Sequence, residues 1–235
     1  MDQEMMETLT TISSSDRYNE WIYHQFKDYL SGCVLDIGSG IGDIAKQYLE
    51  GNVTKVILTD YSEDMVARLK EKFGSSDRYN VLRMDITTDD GLHLLPPGSV
   101  DTITCSNVLE HIEDDYAALV RVKSLLKKNG KLLLLVPSLP CIYGTLDSLV
   151  GHYRRYTKKS LGAVLLKAGF SIEKQFYMNM FGIVTWFMAG RVLKHKRFDP
   201  GACKALDKAV PILRLMEHYG HPPFGQSLIA VCKNC

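Results

Sequence analysis

Ten residues, Val34-Leu-Asp-Ile-Gly-Ser-Gly-Ile-Gly-Asp43, constrain this chain more than any other stretch. Val34 to Ile37 read as a buried parallel strand, and Gly38, Gly40 and Gly42 let the backbone turn sharply and approach a ligand with no Cβ in the way. The helix expected beyond Gly42 offers free N–H groups to something polar. A nucleoside-bearing cofactor fits such a turn. The spacing is G-x-G-x-G, whereas the dinucleotide fingerprint G-x-G-x-x-G leaves a wider last gap in which a helix N-terminus meets a pyrophosphate. Asp36, at the end of the strand, would repel a pyrophosphate and suits a ligand carrying an ammonium group. The turn therefore points to an amino-acid-bearing nucleoside.

Further landmarks follow at intervals. Val56-Ile-Leu-Thr-Asp60 is a second apolar strand ending in an acid, with Tyr61 behind it, and Asn80-Val-Leu-Arg-Met-Asp-Ile86 is a third. Ser99 to Ser106 gives a fourth, followed by Asn107-Val-Leu-Glu-His-Ile-Glu113, and Leu125-Leu-Lys-Lys-Asn-Gly130 leads into an apolar strand, Lys131 to Pro137. In this order the residues resemble the class I S-adenosylmethionine-dependent methyltransferases over about residues 30 to 178. The resemblance implies S-adenosylmethionine as cofactor. It implies that Asp36, Gly38, Ser39 and Gly40 line its site and that Asp60 holds the ribose hydroxyls, with Tyr61 against adenine. It further implies Asp85 on the adenine amino group, Met84 and Ile86 on the ring faces, and Ser106 and Asn107 between methionine and acceptor. Asp60 and Ser62 are also helix-cap candidates.

Alternating strands and helices imply a Rossmann-like α/β fold, with seven mostly parallel strands, helices on both faces and an antiparallel last strand. A chain of 235 residues with 46% apolar content supports one large core. The net charge is +1, and no basic stripe with interleaved aromatics appears, so a nucleic-acid partner is not expected. No signal peptide is seen, the apolar runs are too short to span a bilayer, and six scattered cysteines fit a reducing, cytoplasmic setting. Cys232-Lys-Asn-Cys235 lacks a second ligand pair, and no metal site is expected.

Residues 1–30 read as a segment covering the cofactor site, ahead of a methyltransferase domain over 31–235. Its first 15 residues are polar. Arg17 to Leu30 then form an amphipathic helix, in which Tyr18 and Trp21 either face the cofactor, as related enzymes imply, or simply cover the sheet. After the fifth strand, residues 138–157 leave the carboxyl edge of the sheet, where ligands bind. Tyr143, Arg154, Arg155 and Tyr156 are candidate acceptor contacts, the arginines for an anionic group, while His111, His152 and Tyr153 are candidates for moving a proton. Alternatively, Thr157 caps a helix over 158–169 and the basic residues are solvated.

Strands six and seven, Phe170 to Tyr177 and Gln226 to Lys233, enclose a helical insertion, 178–225. Its apolar run Met180 to Gly190, followed by Arg191-Val-Leu-Lys-His-Lys-Arg197, suits an interfacial helix on a membrane, a lid, a homodimer surface, or a helix on the chain's own core. A second helix is expected from Leu206 to Tyr219. The reading is methyl transfer to oxygen, nitrogen or carbon of a small acceptor that is apolar, aromatic or anionic. A lipid-like acceptor at a membrane surface and non-catalytic binding of S-adenosylmethionine are the alternatives.

Overall fold

The apolar runs pair into one seven-stranded sheet. The computed structural model describes residues 15–195, 200–217 and 222–235. The strands are β1 (Gly32–Ile37), β2 (Val53–Asp60), β3 (Tyr79–Arg83), β4 (Val100–Ser106), β5 (Leu126–Pro137), β6 (Phe170–Met178) and β7 (Ser227–Asn234), in the spatial order β3-β2-β1-β4-β5-β7-β6. β1 to β5 run parallel, and β7 is antiparallel to both neighbours. The order reverses at β1, so the carboxyl ends of β1 and β4 diverge into a crevice, the place where open α/β sheets take ligands.

Successive strand residues enter opposite cores because side chains alternate across the pleat. Leu132, Leu134 and Val136 enter one, with Leu119, Val122 and Leu125 of helix α3 (Asp115–Leu125) and Leu161 and Leu165 of α5 (Lys158–Lys167). Leu133 and Leu135 enter the other, under Trp21, Ile22 and Phe26 of α1 (Asp16–Phe26) and Leu69 and Phe73 of α2 (Glu63–Phe73). The leading helix is shorter than expected and tightens into a 3₁₀ turn over Lys27–Tyr29.

Among the described residues three further α-helices are α4 (Thr145–Leu149), α6 (Gly182–Phe187), which runs on as a π-turn over Met188–Val192, and α7 (Pro200–Glu217). α7 starts six residues before the expected Leu206 and keeps Pro211 within it, and Tyr219 lies outside the described residues. β5 begins at Leu126 rather than Lys131. Leu126 pairs with Val100 before the register shifts to Lys131 with Thr102, and Asn129 turns the intervening loop at φ 66°. Among the described residues no helix is long and apolar enough to cross a membrane. Residues 1–14 and Lys196 and Arg197 of the basic run also fall outside the described residues.

Candidate active site

β1 delivers Asp36 and the glycine turn to the crevice. Gly38, Gly40 and Gly42 all hold positive φ. At Gly40 a Cβ would meet nothing within 4 Å, so the turn borders open space there, whereas at Gly38 it would lie 2.3 Å from Cγ2 of Val108. Gly38 is thus glycine because Val108 packs on it, and Gly40 because of its backbone angle and the space beside it.

Asp60 ties this turn to the end of β2. Its carboxylate accepts from the Gly40 N–H (3.0 Å) and the Ser62 N–H (2.9 Å), which makes it both a loop clamp and the start of α2. Burial pushes its pKa up, against the pull of those amides. Asp36 is buried more completely. Thr104 donates to it at 2.6 Å and Tyr48 at 3.5 Å, yet burial still raises its pKa to about 6. Ser39 faces inward, donating to the Asp36 carbonyl (3.1 Å) and accepting from the Thr59 N–H.

Asp85 is half-buried and accepts at Oδ1 from the N–H and hydroxyl of Thr87, while its Oδ2 has no hydrogen-bond partner among the described residues. Met84 and Ile86 on either side are buried in the core cluster. Tyr61 is exposed. The buried Ser106 Oγ has no hydrogen-bond partner among the described residues, and Asn107 takes φ 53° as the chain leaves β4. Trp21, only 2% exposed, packs from α1 into the core. Tyr18 crosses instead to Ser227 Oγ (3.1 Å), tying α1 to β7.

The acceptor-side residues converge differently from expectation. His111 and His152 meet edge to face, ring centroids 4.8 Å apart. His152 Nδ1 lies 2.9 Å from Asp147 Oδ1 and its Nε2 3.8 Å from Glu110 Oε1. Burial, then the neighbouring His152, lowers the His111 pKa to about 4, so its imidazole is neutral near pH 7. Arg155 is buried, donates through Nε to Asp147 (2.7 Å) and through Nη1 to the Ser138 carbonyl (2.9 Å), and stacks on Trp186, while its buried Nη2 has no hydrogen-bond partner among the described residues. Arg154 is likewise committed, to Asp115 (3.0 Å) and the Glu113 carbonyl. Tyr156 is buried and donates to Asp115, Tyr143 donates to the His152 carbonyl, and Tyr153 is exposed to solvent. Thr157 caps α5, accepting from the Ser160 N–H at 3.0 Å.

Residues 35–132 match the family model described as a methyltransferase domain. The ubiquinone biosynthesis O-methyltransferase of Xanthomonas euvesicatoria is 31% identical over 156 residues, 60% of this chain and 63% of that one. A solved S-adenosylmethionine-dependent methyltransferase of Mesorhizobium loti superposes with a TM-score of 0.62 at 19% identity, covering 92% of this chain and 97% of that one. Phosphoethanolamine N-methyltransferase 2 of Haemonchus contortus, solved with S-adenosyl-L-methionine, gives 0.63 at 21% identity over 92% of this chain and 52% of that one. Over residues 35–132 the chain is similar to methyltransferase domains, and its fold is that of the solved S-adenosylmethionine-dependent methyltransferases. It spans less than two thirds of the length of the curated relatives it matches.

S-adenosylmethionine is the cofactor of a methyltransferase of this class. The residues present fit it: open space beside Gly40, a buried carboxylate at Asp36 suited to an ammonium group, and the carboxylates of Asp60 and Asp85 along the same edge. A separate cleft of about 490 Å³ lies at the opposite edge of the sheet, beside Asp101, Lys127 and Lys131. Lys127 there pairs with Asp101 at 2.8 Å and Lys131 with Glu173, so it carries no part of the methyltransferase site. Sequence reading missed three participants, Glu110, Asp147 and Trp186. The available signal was an acid inside an apolar run, Leu109-Glu-His-Ile112 and Leu146-Asp-Ser-Leu149.

Proposed function

We propose that the chain transfers a methyl group from S-adenosylmethionine to a hydroxyl oxygen of a small, neutral, largely apolar acceptor. The observation that carries this reading is the contact of Val108 with Gly38, which joins the cofactor turn directly to the Leu109–His111 turn and so to the His111–His152 pair. When bound, the cofactor supplies a methyl group on a sulfonium: the new O–C bond forms as the S–C bond breaks, a neutral thioether leaves, and the hydroxyl proton is released. The residues align the acceptor, and the released proton passes to solvent. Asp36 and Asp60 hold the donor, and the Glu110–His111–His152 cluster receives the acceptor oxygen.

The pairing of Arg154 with Asp115 and of Arg155 with Asp147 favours a neutral acceptor over an anionic one. The likeness to a ubiquinone biosynthesis O-methyltransferase supports oxygen as the methylated atom. In this reading α1 and the 178–225 insertion flank the acceptor side, held by Tyr18 to Ser227 and by Trp186 Nε1 to Asp147 (3.0 Å). A lipid-like acceptor taken from a membrane surface is the second reading, favoured by the exposed Val184, Phe187, Met188, Val192 and Leu193 on that insertion.

Calorimetry with S-adenosylmethionine and its demethylated product tests the donor half. Wild type binds both, and Asp60→Ala weakens them about 10- to 100-fold, the worth of hydrogen bonds to a charged group. Failure of wild type to bind either ligand overturns the reading. Labelled methyl transfer to a panel of phenols and amines, read by mass spectrometry, tests the acceptor half, and methylated amines alone would overturn the choice of oxygen.

A further inference from the structure

We propose that Glu110, His111 and His152 hold a divalent metal ion of the zinc class, with open coordination positions for the acceptor oxygen. The inference rests on the proposed function and names how the acceptor hydroxyl is engaged. Sequence spacing gave no reason to expect a metal, because His152 lies far along the chain from His111. The fold closes that distance by bonding the Tyr153 N–H to the Glu110 carbonyl at 2.8 Å.

Three observations support the site. First, one donor atom from each of the three side chains can be chosen so that all lie within 4.8 Å of one another. Tetrahedral ligands about 2.1 Å from a metal stand about 3.4 Å apart, so a pair at the 4.8 Å limit closes by about 1.4 Å. Second, Glu110 is 0% exposed, and neither carboxylate oxygen has a hydrogen-bond partner among the described residues. A buried carboxylate left this way is costly unless something answers its charge. Arg155 is near, but Asp147 neutralises it.

Third, the supporting shell of a metal-bound histidine is already built. Asp147 sits on Nδ1 of His152, which fixes the ring and turns Nε2 toward Glu110. Asp147 is in turn held by Arg155, by Trp186 and by the Gly144 N–H at 2.9 Å. A carboxylate behind a ligating imidazole is the usual way proteins orient such ligands. The backbone of Val150 and Gly151 contacts the His111 ring in the same manner.

Two imidazoles and one carboxylate with positions left open form the donor set of catalytic zinc sites, and imidazole disfavours magnesium relative to zinc. One carboxylate and two neutral imidazoles leave a divalent ion with one positive charge, which a single acceptor oxygen balances once its hydroxyl proton has passed to solvent. Glu110 is fully buried, whereas His111 and His152 are partly buried, the His152 side chain being 9% exposed.

The test is metal uptake by the purified full chain, stripped with chelator and then titrated with Zn2+ or Mg2+, with calorimetric S-adenosylmethionine binding measured alongside. Wild type is expected to take one Zn2+ per chain, with weaker uptake of Mg2+. Glu110→Gln and His152→Ala lose that equivalent while still binding S-adenosylmethionine, and Asp147→Asn weakens it about 10- to 100-fold. A wild type that binds S-adenosylmethionine but takes up no Zn2+ at about 1 mM overturns this inference and leaves the proposed function standing. Uptake equal in wild type and Glu110→Gln overturns it too, since the ion then sits elsewhere. Should either variant fail to bind S-adenosylmethionine, anomalous diffraction from Zn2+-loaded wild-type crystals decides, by a peak among the three side chains or its absence.

Discussion

Asp36 shows what single residues disclose and conceal. An acid directly after an apolar strand and before a glycine turn is legible in the sequence, because few structural needs place a carboxylate there. Its energetic standing is not legible, because that depends on Thr104 and Tyr48, which reach it from other elements. The folded chain holds its pKa near 6, above the ordinary carboxylate range, and burial is the chief cause. Between about pH 4 and 6 the native state therefore keeps a proton that the unfolded chain has released, and stability falls as pH rises through that window. Asp36→Asn removes the titration while keeping an acceptor for Thr104. Denaturant titration at pH 8 should find the variant more stable than wild type by about 3 kcal/mol, with the difference vanishing near pH 4. Its affinity for S-adenosylmethionine should fall in the same preparation. A stability difference independent of pH would show that Asp36 is not the titrating group.

Among elements, the strands were the most readable, since parallel strands buried on both faces are continuous apolar runs. The start of β5 escaped because the shift between the Leu126 and Lys131 pairings is a matter of register, which the Lys127–Gly130 loop hides. The Gly144–Tyr156 segment was readable only as an edge of the sheet. Its order comes from Asp147, which gathers Gly144, His152, Arg155 and Trp186 from three places in the chain. Asp147→Ala strands the buried Arg155 guanidinium without its counter-ion, a change that costs about 3–5 kcal/mol. Hydrogen exchange read by mass spectrometry should show faster exchange confined to about residues 140–195, with β1 to β4 protected as in wild type. Uniform loss of protection, or none, would contradict a local role for the pair.

At the scale of the whole molecule, the large exposed apolar side chains are unevenly spread. The insertion between β6 and β7 presents Val184, Phe187, Met188, Val192 and Leu193 on α6 and its π-turn, and Ile212, Leu215 and Met216 on α7. The inner face of the first group is anchored to α4. Thr145 Oγ1 donates to the Gly190 carbonyl at 3.1 Å, and Arg191 Nη1 donates to the Tyr143 carbonyl at 3.0 Å. Packing on the chain's own core thus accounts for one side of this helix and leaves the other unpartnered among the described residues. An apolar face followed by basic residues suits the boundary between acyl chains and anionic head groups, and each fully inserted Phe or Leu contributes about 1.5–3 kcal/mol. Phe187→Glu with Leu193→Glu, both on the outer face, should leave the fold and S-adenosylmethionine binding intact. Co-sedimentation with phosphatidylglycerol-containing vesicles should retain wild type and release the double variant. Raised salt should weaken wild-type retention only in part, because the apolar share of the binding is not screened. Equal retention of the two proteins, or none of wild type, would rule out this face as a membrane contact and leave the acceptor to arrive from solution.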